Sequence, residues 1–84
     1  MQKKTIKING KDGLHARPAA EFVQLCKKIK SDVKLEKNGV SVSGKSIIGI
    51  MSLGISWGEE VTVVVEGDDE VDAIVLIKEL LDKE

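Results

Sequence analysis

Polar and apolar residues alternate along Lys4-Thr5-Ile6-Lys7-Ile8, which predicts a β-strand with Ile6 and Ile8 on its inner face and the lysines in water. The period then changes. From Ala16 onward Ala19, Phe22, Val23, Cys26 and Ile29 recur every three or four residues, one face of a helix ending near Lys30. Pro18 fits only the first turn of that helix, where no backbone N–H is needed. Alternation returns over residues 32–36 with Val33 and Leu35 inward, and Asn38-Gly39 suits the positive φ angles of a tight hairpin into Val40-Ser41-Val42.

Ser46 opens a short apolar stretch, residues 47–54, read as a brief helix with one face left exposed. A turn at Trp57-Gly58 leads to a fourth strand, residues 60–66, with Val61, Val63 and Val65 on one side. Asp68 or Asp69 then caps a last helix, whose first turn is acidic and whose Ile74, Ile77 and Leu81 face the core. The order is βαββαβα. Four short strands and three helices that all need one apolar surface predict an α+β fold, an open-faced β-sandwich. Its four-stranded antiparallel sheet is covered on one face by three helices.

Composition narrows the function. At 84 residues, without repeats or linkers, residues 1–84 are expected to form one domain around a single core, too small for an enclosed active site. Any chemistry therefore sits on the surface. A formal net charge of -1 gives no argument for nucleic acid or an anionic membrane as partner. No apolar run approaches the ~20 residues that cross a bilayer. Cys26 is the only cysteine, so no internal disulfide forms, and its place on the apolar helix face reads as core more readily than as a reactive thiol. With a polar start at Met1-Gln2-Lys3-Lys4, the cytoplasm is the expected compartment.

The candidate chemistry lies in Gly13-Leu14-His15-Ala16-Arg17-Pro18-Ala19-Ala20, where the only histidine stands at the mouth of the first helix, two residues before an arginine. An imidazole with a reference pKa near ~6.5 is a neutral nucleophile at cellular pH and also a good leaving group, so it can accept a group and pass it on. The helix start at Ala16 and Arg17 offers unpaired N–H groups and the positive end of the macrodipole to an anion. The Arg17 guanidinium can grip phosphate oxygens through more than one N–H. Taken alone, such a histidine is more often a capping or surface residue. Ser46 is likewise a natural N-cap whatever else it does, and Ile47, Ile48 and Met51 are either core or an exposed docking patch.

These residues resemble the HPr family, the histidine-containing phosphocarriers of the bacterial phosphoenolpyruvate-dependent sugar phosphotransferase system, along the whole chain. Residues 13–19 resemble the family's active-centre signature, and Gly44-Lys45-Ser46-Ile47-Ile48-Gly49-Ile50-Met51-Ser52-Leu53 is similar to the segment around its regulatory serine. The resemblance implies that His15 is phosphorylated on Nδ1 by Enzyme I, with Arg17 stabilising the phosphoryl group, and that sugar-specific IIA domains remove it. It implies a carrier rather than an enzyme, with no cofactor and no metal. Leu14, Ala20, Ile47, Ile48 and Met51 are the expected partner-binding residues. Ser46 is the expected phosphoserine, set by a bifunctional HPr kinase/phosphorylase and read by a catabolite-control repressor.

Asp12 departs from the family pattern, which more often has an uncharged polar residue there. A carboxylate close to the imidazole would raise its pKa and repel the phosphorylated form. Trp57 is also unusual and has no functional reading. Two rivals remain: a nitrogen-system paralogue, against which the Ser46 segment argues, and a regulatory binding module, whose known examples lack the histidine that this chain keeps. A free-standing structural α+β domain is a third, weaker reading.

Overall fold

Alternation in the strands is realised as a sheet with one dry and one wet face. The computed structural model describes residues 1–8, 16–56 and 58–83. Strands β1 (Gln2–Lys7), β2 (Asp32–Lys37), β3 (Val40–Ser43) and β4 (Glu60–Glu66) form one antiparallel sheet in the order β1-β4-β2-β3. Helices α1 (Ala16–Lys28), α2 (Ile47–Ser52) and α3 (Glu70–Lys83) supply the other layer. Ile6, Val33, Leu35, Val61, Val63 and Val65 are buried in one cluster with Phe22, Cys26, Ile50 and Ile77 from the helices. Removing an aliphatic or aromatic side chain of this size from water contributes roughly 1.5–3 kcal/mol, and this burial holds the layers together.

Residues of opposite parity face solvent. Thr5 stands directly across from Thr62 with their hydroxyls 3.2 Å apart, while Lys3, Lys34, Ser41 and Ser43 are exposed. The expected open-faced sandwich is therefore the fold. The edge strands are ill suited to pairing with another chain, β1 because it carries Lys3, Lys4 and Lys7, and β3 because it is only four residues long. The β2–β3 hairpin turns through Asn38 at φ 51° and Gly39 at φ 81°, two positive values in succession as a two-residue primed turn requires.

Several boundaries differ from the sequence reading. Strand β1 starts at Gln2 and ends at Lys7, so Ile8 leaves the ladder. Ile8 nonetheless stays fully buried, because its N–H donates to the Glu59 carbonyl at 2.9 Å and its carbonyl accepts from the Gly58 N–H at 2.8 Å. Helix α1 stops at Lys28 rather than near Lys30: the Ile29 N–H turns back to the Cys26 carbonyl at 3.1 Å. The next two N–H groups, of Lys30 and Ser31, each donate to the Asp69 carboxylate at 2.9 Å.

The sequence pattern assigns that carboxylate to the cap of α3. Asp69 does precede α3, and its backbone carbonyl accepts from the Ala73 N–H at 2.9 Å, but its side chain reaches across to the α1–β2 junction, where the buried Ser31 hydroxyl also bonds it. Donations from the Ser31 hydroxyl first, then the Lys30 N–H, with the Ser31 N–H adding to them, hold Asp69 below the usual carboxylate range. Gly67 makes the crossing possible. Its φ is 155°, and a Cβ there would lie 2.7 Å from the Ser31 Cα. Glu70, the first residue of α3, instead accepts from the Gly67 N–H at 3.3 Å and pairs with the Met1 amino group at 2.6 Å.

Candidate functional site

His15 and its neighbours Asp12, Gly13 and Leu14 lie outside the described residues, as does Trp57. The described part of the site begins with helix α1. Its first residue, Ala16, is bonded to His15, and Pro18 is its third residue, within the first turn as its missing N–H demands. The N–H groups of Ala16 and Arg17, in the first turn, have no acceptor inside the helix and supply its electropositive end. Ala19, Phe22, Val23 and Cys26, at helical spacing, are all in the core, so α1 holds this end in a fixed place.

Arg17 stands outside that core with its side chain 90% exposed, and its Nε donates to the Glu21 carboxylate at 3.1 Å. An exposed i,i+4 pair of this kind is worth about 0.3–0.5 kcal/mol. Such a bond orients the guanidinium without committing it, and a doubly charged phosphoryl group would readily redirect it. Beside it, Ala20 is half-buried.

Helix α2 packs against α1 and is anchored differently. Ile50 is its only buried residue, whereas Ile47, Ile48 and Met51 are 38%, 81% and 44% exposed. The three do not belong to the core. They leave an aliphatic patch uncovered on a small protein. Ser46 is the N-cap: its extended backbone (φ -113°, ψ 110°) lets the hydroxyl oxygen accept the Gly49 N–H at 3.1 Å, while its carbonyl accepts from Ile50 at 3.0 Å. Gly49 allows the close fit, since a Cβ there would lie 3.2 Å from the Ser46 Oγ and 3.3 Å from the Val42 Cβ.

At its other end α2 meets Lys37. The Lys37 Nζ donates to the Gly54 carbonyl at 3.0 Å, the Leu53 carbonyl at 3.4 Å and the Glu59 carboxylate at 2.9 Å. Glu59 also accepts the Ser56 N–H at 2.7 Å. The Lys37 ammonium first, then the Ser56 N–H, hold the Glu59 carboxyl below its ordinary value. Sequence reasoning misses this pair because it ends the second strand at Glu36. The alternation in fact runs on from Val33 and Leu35 to Lys37, which places a cation on the helix-covered face. That break in the apolar pattern is the signal that could have found it.

Two further features limit the chemistry. Cys26 is fully buried, and burial pushes its thiol up to about 12, so it stays protonated at neutral pH and acts as core. Among the described residues no group of three His, Cys, Asp or Glu side chains could hold a metal ion, and no helix is long and apolar enough to cross a membrane.

An exposed guanidinium at the start of α1 and an uncovered aliphatic face on α2, the helix that packs against it, are both surface features. Comparison with known proteins gives the chain a family. The chain matches the family described as "PTS HPr component phosphorylation site" over residues 2–83. Among solved structures it is similar to HPr-C-His from Thermoanaerobacter tengcongensis, with 49% identity, TM-score 0.96 and coverage of 99% of this chain and 93% of that one. It is also similar to phosphocarrier protein HPr from Bacillus anthracis, with 40% identity, TM-score 0.92 and 95% of each chain covered. Crh, the catabolite repression protein of Bacillus subtilis described as a swapped, intertwined dimer, shows 44% identity and TM-score 0.80 over 100% of this chain and 97% of its own.

The chain belongs to the HPr family of the phosphotransferase system, whose members are phosphocarriers rather than catalytic enzymes.

Proposed function

We propose that this chain carries a phosphoryl group on His15, received from Enzyme I and passed to sugar-specific IIA domains in the cytoplasm, and that residues 1–84 do so as one domain. The observation that carries the reading is the Arg17 side chain, 90% exposed on the first turn of α1 and two residues from His15, with a weak contact to Glu21 among the described residues. In-line transfer needs the equatorial oxygens stabilised more than it needs covalent assistance, and one guanidinium with the free N–H groups of α1 suits that task. The opposing protein supplies the remainder. Leu14, Ala20, Ile47, Ile48 and Met51 form its docking surface, small enough for fast release, and the flexible thioether of Met51 suits several partners.

Ser46 is the regulatory position, a substrate for an HPr kinase/phosphorylase, and its phosphorylated form is the one a catabolite-control repressor would read. Its place at the head of α2, next to the exposed Ile47 and Ile48, supports inhibition by charge. A phosphate of roughly -1.5 to -2 would sit within the docking surface without opposing the cap. The nitrogen-system alternative would use the same His15 chemistry with other donors and acceptors.

Incubation with Enzyme I and phosphoenolpyruvate tests the reading. The expected result is one added phosphoryl group by intact mass, lost in acid and absent from His15→Ala. A wild-type chain left unmodified by an active donor would contradict it. Ser46→Asp is expected to slow charging while the circular dichroism spectrum stays unchanged. Asp12→Asn is expected to shift the phosphohistidine hydrolysis rate, and equal rates would remove any role for the Asp12 carboxylate.

A further inference from the structure

Lys37 stands where the sheet calls for an apolar side chain. Its parity is that of Val33 and Leu35, both in the core, and its side chain is only 13% exposed. A largely desolvated ammonium is costly unless its donors are used, and here all three have acceptors: two carbonyls beyond the end of α2 and the Glu59 carboxylate. Helix α2 has no basic residue in its own last turn. Lys37, sixteen or seventeen residues away from those carbonyls in sequence, supplies the cation that the negative end of the helix lacks.

Leu53 packs against the core and Ile55 is fully buried just beyond α2, but the helix itself has few anchors besides such a clamp. One buried side chain, Ile50, serves as its pivot, and the Ser46 cap fixes its start. With the far end loose, six residues could rock about Ile50, and Ile48 and Met51 would move with them. Glu59 prevents slack in the clamp by binding the Ser56 N–H at 2.7 Å, which ties the segment after α2 to the start of β4. A docking patch of three side chains has little area to spare for reordering on contact, so its affinity depends on being held in place beforehand.

We propose that Lys37 is a positioning residue for phosphoryl transfer: with Glu59 it fixes the C-terminal end of α2 and so sets the affinity of the Ile47, Ile48 and Met51 surface for the donor protein, without touching the transferred group. The inference rests on the phosphocarrier reading of His15.

The test is the steady-state charging of Lys37→Met by Enzyme I, with Glu59→Gln as a second variant should the first fold poorly. KM for the carrier is expected to rise about three- to tenfold while kcat is unchanged. Amide exchange at Leu53 and Gly54 is expected to quicken, and Lys37→Arg is expected to recover most of the affinity. An unchanged KM alongside faster exchange would overturn the proposal, since the clamp would then be structural only. An equal loss in kcat would overturn it too, by placing the effect on the chemistry. If wild type itself is not charged, the phosphocarrier reading fails and this inference with it. A charged wild type with an unaltered variant removes this inference alone.

Discussion

Helix α1 buries Ala19, Phe22, Val23 and Cys26, whereas its neighbour α2 buries Ile50 alone and turns Ile47, Ile48 and Met51 outward. Both present groups for the proposed transfer, yet they are held by different forces. Helix α1 is fixed by apolar area, with the exposed Arg17 side chain at its tip. Helix α2 is fixed by an exposed hydroxyl at one end and a largely buried ammonium at the other, each a directional contact. The difference separates two tasks. The group that meets the phosphate has to stand still, while the surface that meets several proteins can be tuned by single side chains or by modification.

The comparison breaks most severely at its packed half. Phe22→Ala empties the centre of the α1 face and is expected to lower stability by about 3–5 kcal/mol in urea unfolding. A loss below about 1 kcal/mol would mean that α1 is not held by its core face. Arg17→Ala is expected to leave the unfolding midpoint nearly unchanged and to slow phosphoryl transfer about 10²-fold, as removal of one preorganised donor commonly does. Ser46→Ala, which deletes the α2 cap, is expected to cost about 0.5–2 kcal/mol, and amide exchange is expected to show the loosening at Gly49 and Ile50 before anywhere in α1. Uniform loosening of both helices would contradict the division between them.

The gentlest perturbation is acid. Asp69, Glu59 and Glu70 all titrate below their ordinary values in the folded chain, held there chiefly by the Ser31 hydroxyl, the Lys37 ammonium and the Met1 amino group respectively. A depressed carboxylate stabilises the fold at pH values above its unfolded pKa and loses that contribution as pH falls through the folded pKa. Stability is therefore expected to be level near neutrality and to decline below about pH 4–5. Asp69→Asn is expected to be less stable at pH 7 and to show a shallower acid decline. A parallel decline would remove Asp69 as a source of the acid sensitivity.

Much of this architecture is legible in the chain. The alternation of Val61, Val63 and Val65 and the spacing of Ala19, Phe22, Val23 and Cys26 are local patterns, and burial acts on them directly, so element order and core face can be read from the sequence. The His15-Ala16-Arg17-Pro18 run and the Ser46 segment are legible as motifs because both are contiguous. Lys37 and Asp69 are not. Each serves partners sixteen to thirty-nine residues away, and at each a local rule, strand end or helix cap, gives way to a tertiary hydrogen bond. The exposed face of the short helix at Ser46 is legible too, and Ile47, Ile48 and Met51 are exposed as the patch reading expects, although a short apolar stretch can also read as core.

The central claim is that one imidazole serves as the relay point, and phosphorus NMR of the charged protein tests it most directly. The account predicts a single acid-labile phosphohistidine resonance that His15→Ala abolishes and that drains when a cognate IIA domain is added. A resonance that survives the substitution, or one that no acceptor domain discharges, would contradict it.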